Sequence, residues 1–183
     1  MEYFKKIFKE SLVIIILSSI MGLLSGMVLS LNQKILYTIP IILLILPSLN
    51  SLIGDISTIL VSRLTSHLYV GIIPPKFEKS KRIIDDLIGL FLTILLSLIV
   101  LILFGYLLGI ATGIEIVNPF LITFIIILTI LFLFAVLSVL LFISSIFIFR
   151  RGGDPNNFLI PFITSLADFL TPLLLIIFLI IFI

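Results

Sequence analysis

Two carboxylates stand in this sequence where a carboxylate is expensive. Asp55 lies in PSLNSLIGDISTILVSRLTSHLYVG, residues 47–71, and Asp168 in FLIPFITSLADFLTPLLL, residues 158–175. Both stretches sit in runs apolar enough to cross a membrane. There an ionised Asp or Arg at a helix centre costs roughly 2.5–3.5 kcal/mol on insertion scales. Such a group must face protein, a partner or water. Around Asp55, the residues Ser48, Ser51, Thr58, Ser62 and Thr65 recur at steps of three or four, which places them on one helical face. Around Asp168, Asn157, Pro161, Thr164 and Thr171 follow the same spacing.

Few acids among many hydroxyl and amide oxygens is the donor set of a hydrated hard cation. Magnesium sheds water reluctantly and is commonly held through one or two carboxylates with several waters retained. A single His and no Cys argue against a soft-metal site. Asp168 is the leading ligand candidate, weighed against a buried acid bonded to Thr164 or Ser165 or neutralised by a proton. Asp55 is second, weighed against a pairing with Arg63 of a neighbouring helix; on one helix the two are about 12 Å apart. Asn50, Ser51 and Thr58 either bond the water around an ion or satisfy backbone freed by Pro47. His67 reads as structural or interfacial, and Asp154 as a helix cap.

The elements that must position these groups are membrane helices. Of the 183 residues, 62% are hydrophobic and 11% charged, with a mean hydropathy of +1.50. Soluble domains carry about 25% charged residues, so a soluble fold is excluded. A net charge of +2 gives no reason to expect a nucleic-acid partner. The expectation is one all-α integral membrane domain, 1–183, with spans near 11–31, 35–69, 83–111, 119–149 and 156–183. The first has a basic lead-in like a signal peptide's, but its length is that of a retained span. Its Ser18, Gly22, Gly26 and Ser30 form a small-residue face suited to helix packing. The second is long, and Pro47 predicts a kink or break. The segment GIIPPKFEKSKRIIDD is the main loop. In the third span Gly105, Gly109 and Gly113 favour a close helix contact at its far end. The fourth, nearly all Ile, Leu and Phe, faces lipid or fills the bundle.

Placing the amino terminus inside puts Lys5, Lys6, Lys9, Lys76, Lys79, Lys81, Arg82, Arg150 and Arg151 on the inner side and only Lys34 outside. The positive-inside rule therefore predicts a cytoplasmic amino terminus and an outer carboxyl terminus in a multi-pass cell-membrane protein. Arg63 lies in the inner third of its span and can snorkel inwards.

The two polar motifs resemble those of the MgtE magnesium channels, and still more one repeat of the eukaryotic magnesium carriers of solute-carrier family 41. Pro47, Leu49, Gly54 and Asp55 followed by Ser62-Arg63-Leu64-Thr65 match the first motif. Asp154-Pro155-Asn156-Asn157, Pro161, Thr164-Ser165 and Asp168 match the second. Asp55 stands where those proteins have Asn, a departure that bears on ion preference. The resemblance implies a five-helix bundle that dimerises and is not an enzyme. It would be a channel or transporter for divalent cations, Mg2+ as cargo, with a pathway lined by spans two and five. The expected site residues are Asp168, Asp55, Asn50, Thr164, Ser51 and Thr58. The chain has no room for the cytoplasmic sensor domains of bacterial MgtE. Two other classes are weighed against this one. An intramembrane aspartyl protease wants Gly-x-Gly-Asp, but position 52 is Leu. A non-transporting membrane partner would use the glycine ladders as its surface.

Overall fold

The computed structural model describes residues 2–78 and 80–182, and within 2–11 the side chains of Phe4 and Phe8 only. Lys79, assigned to the main loop, lies outside the described residues. Among the described residues six helices follow in chain order: α1 (Glu2–Leu31), α2 (Gln33–Thr38), α3 (Pro40–Val70), α4 (Lys81–Ala111), α5 (Pro119–Arg150) and α6 (Pro155–Phe182). Five contain a stretch long and apolar enough to cross a membrane; the exception is α2.

The second span differs from expectation at its proline. Instead of breaking at Pro47, the chain breaks at Ile39, which leaves the helical region at φ −131° and ψ 71°. The cause is local. A residue preceding proline is pushed out of the α region by the pyrrolidine ring, whereas proline itself opens a helix without losing a needed donor. Pro40 therefore begins α3, α2 becomes a separate turn, and α3 runs without interruption through Pro47.

α3 is the centre of the bundle. It packs against α4, α5 and α6, while α1 lies outside, against α6. Half of the most apolar window of α3 is buried, against 6% of that of α1. Ile41, Ile45, Leu49, Ile53, Leu60 and Leu64 form its inward stripe at helical spacing. α5 proves to be a bundle-filling helix, with Ile122, Ile125, Ile126, Ile130 and Leu133 almost fully enclosed.

The two glycine ladders have different fates. A methyl group on Gly109 would stand 2.6 Å from Ile41 Cδ1, and one on Gly105 2.8 Å from Ile45 Cγ1. These two glycines let α4 close onto α3, as the spacing predicts, whereas Gly113 lies past the end of α4 with nothing within 4 Å. Gly22 and Gly26 are exposed and meet nothing within 4 Å. Two serines of α1 bond α6 instead. Ser165 Oγ donates to Ser18 Oγ at 2.7 Å, and Ser25 Oγ donates to the Asp168 carbonyl at 2.8 Å. The packing role expected of Gly22, Gly26 and Ser30 is thus not used within the chain.

Candidate functional site

The two acids lie on neighbouring helices at the same relative depth. Asp55 is at the midpoint of α3 and Asp168 at the midpoint of α6. α3 and α6 pack directly on one another. Both carboxylates are on the exposed surface of the single chain. Among the described residues, no side chain donates a hydrogen bond to the Asp168 carboxylate. The hydrogen bond to Thr164 or Ser165 that the alternative reading of that acid requires is not formed. Thr164 Oγ1 donates to the Pro161 carbonyl at 2.9 Å, and Ser165 is turned towards Ser18.

The neutral candidates flank the acids. Ser51 Oγ reaches Asp55 Oδ2 only at 3.5 Å, a loose contact for a hydroxyl donor. Thr58 Oγ1 donates to the Asp55 carbonyl at 2.8 Å. With their hydrogens committed to main-chain carbonyls, Thr58 and Thr164 keep oxygen lone pairs free to accept. Asn50 is half-buried, and its Oδ1 is enclosed without a hydrogen-bond partner. Thr171, one turn beyond Asp168, likewise has a buried hydroxyl with no partner. Next to Asp55, Gly54 has no atom within 4 Å of where a side chain would begin.

The backbone at Asp168 is also unusual. Pro172 lies within α6, four residues further on, so the Asp168 carbonyl has no intrahelical amide to accept from. Ser25 of α1 supplies the missing donor from outside the helix. A hydroxyl bonding a proline-freed carbonyl is how membrane helices tolerate such breaks.

A third acid lies nearer the 71–80 connection. Asp86, on the buried stripe of α4 with Ile83, Leu90 and Ile94, has a side chain only 3% exposed. Its Oδ1 accepts from the Arg63 guanidinium, and its Oδ2 lies 2.8 Å from His67 Nε2. Arg63 therefore does not pair with Asp55 within the chain, and its snorkelling head group ends on Asp86. Arg82 Nε approaches the same His67 nitrogen at 3.4 Å. One ring nitrogen cannot donate to Asp86 and accept from Arg82 at once, and the shorter contact to the carboxylate is the one that decides the tautomer. His67 is structural, as its position near the end of the span suggested. Next to this cluster, Thr58, Ile59, Ser62, Arg63, Ser66, His67 and Arg82 line an open groove of about 410 Å³.

Asp154 is a cap, as expected. Its Oδ1 accepts from the Asn156 amide at 2.9 Å, and Pro155 begins α6.

Residues 46–178 match the family model for the MgtE divalent cation transporters. The chain belongs to that family. No curated protein and no solved structure shows a significant match to it.

The matched stretch of this MgtE protein runs from α3 to α6 and contains Asp55, Asp86 and Asp168; α1 and α2, with Ser18 and Ser25, precede it. Among the described residues, no three His, Asp or Glu side chains converge as a ready-made metal cage. Separate carboxylates among neutral oxygens favour an ion that keeps its water over one stripped of it. Asp86 was missed because it was counted as part of the basic loop. Two spacings point to it. Asp86 fits the three-and-four rhythm of Ile83, Leu90 and Ile94, and Arg63 and His67 are one helical turn apart.

Proposed function

We propose that this MgtE protein carries hydrated Mg2+ across the cell membrane as a homodimer, along a path lined by the polar faces of α3 and α6. Asp168 and Asp55 supply the negative charge. Ser51, Thr58 and Thr164 accept hydrogen bonds from the waters that the ion keeps, and Asn50, with Oδ1 enclosed, borders them on α3. The observation that carries the reading is the pair of open carboxylates halfway along two packed membrane helices. Facing lipid, each would be a standing cost of a few kcal/mol. Facing a second copy across a two-fold axis, the same side chains would line a polar seam and appear twice. The basic 71–80 connection then lies on the cytoplasmic side.

Uptake of Mg2+ into proteoliposomes tests the reading. The wild type should load the vesicles, and Asp168→Asn, which keeps size and polarity but removes charge, should abolish or severely reduce loading. Asp168→Asn vesicles that load at the wild-type rate would make Asp168 a structural acid and overturn the assignment.

A further inference from the structure

We infer that Asp86 is a positioning residue for transport: it holds Arg63 against α4 and so keeps the guanidinium charge from closing the groove that leads to Asp55. The inference rests on the transport reading above and adds to it the control of one entrance.

The groove adjoins the candidate site at Thr58. Thr58 lines the groove and is bonded to the Asp55 carbonyl, and Ser62, Arg63 and Ser66 extend the same surface of α3 towards the 71–80 connection. Its hydroxyls suit a hydrated cation. Ser66 Oγ donates to the Ser62 carbonyl at 2.8 Å, leaving lone pairs free. Its charges do not. Arg63 and Arg82 both line it, and no acid is among the lining residues. A divalent ion approaching along this surface meets repulsion unless that charge is cancelled.

Asp86 provides the cancellation from behind the wall. One carboxylate oxygen takes the Arg63 guanidinium, and the other takes His67, so both partners are drawn towards α4. The arrangement is asymmetric. The Asp86 side chain is enclosed, while that of Arg63 is 51% exposed. Removal of the Asp86 charge leaves a flexible, permanently charged side chain at the groove with nothing to restrain it.

The test is the Mg2+ dependence of flux in membrane vesicles of both orientations, at low and high ionic strength. With cation offered on the side of the 71–80 connection, Asp86→Asn should raise KM about tenfold with Vmax little changed, and choline chloride at high concentration should relieve much of the increase by screening. From the opposite side KM should stay near wild type. Adding Arg63→Gln to Asp86→Asn should restore KM, whereas adding Arg63→Lys, which keeps the charge, should not. Arg63→Gln alone should transport with an unchanged or lower KM, which keeps the inference testable if Asp86→Asn fails to fold. Damage to structure would be neither side-specific nor relieved by salt. An unchanged KM in Asp86→Asn, equal effects from both sides, or a raised KM in Arg63→Gln overturns the inference while transport itself stands. A wild type that carries no divalent cation overturns the transport reading and this inference with it.

Discussion

At the scale of single residues, charge and hydrogen-bond supply decide what each acid does. Asp55 and Asp168 are open, Asp86 is enclosed between Arg63 and His67, and Asp154 caps a helix. These differences predict different mutants. Asp55→Asn keeps the shape and neutral oxygen of the side chain and leaves Asp168 to attract the ion. It should retain Mg2+ uptake while altering the order of preference among divalent ions in competition assays. Asp154→Ala should lower stability by roughly 0.5–2 kcal/mol through loss of the α6 cap, with Asp154→Asn close to wild type, as a thermal-unfolding series in detergent would measure. The open acids and the cap were legible in the sequence because each stands out against its surroundings: a charge within an apolar run, or Asp before Pro. Asp86 was hidden because charge surrounds it in the sequence, in KSKRIIDD, and only the fold shows that this one acid turns inwards.

At the scale of elements, proline and glycine positions set the bundle, and not all of their effects are local. Five spans could be read from hydropathy alone, since no soluble alternative survives that composition. The break before Pro40 follows from a backbone clash one residue upstream. Whether a glycine ladder is used depends on which neighbour arrives, and spacing cannot reveal that. Gly105 and Gly109 have α3 against them; Gly22 and Gly26 have nothing. The contact at α4 makes a graded prediction. At Gly109 the obstacle is the tip of Ile41, which a χ2 rotation can move, so the gain in helix propensity should leave Gly109→Ala near neutral. At Gly105 the obstacle includes Cγ1 of Ile45, whose β-branched χ1 is stiff within a helix. Gly105→Ala should therefore destabilise by about 1–3 kcal/mol through overpacking. Equal melting temperatures for the two variants would contradict this account.

At the scale of the whole molecule, the single chain leaves its costliest surface uncovered, so light scattering in mild detergent should give the mass of two chains. A monomer that still transports would require the acid face to be covered in some other way. Lys76→Cys should label only from the cytoplasmic side, and labelling only from outside would invert the proposed orientation. The helix with the least buried surface also holds a position at odds with its marginal packing. Ser25 of α1 supplies the hydrogen bond that Pro172 removes from the Asp168 carbonyl. α1 is thus a splint, laid across the point where α6 is weakest and where the carboxylate proposed to attract the cation is attached. With Ser25→Ala the carbonyl has no donor in a medium that offers no water, and α6 should relax by flexing there. Amide exchange along residues 169–176 should then quicken in Ser25→Ala but not in Ser25→Thr, with the rest of the bundle as protected as before.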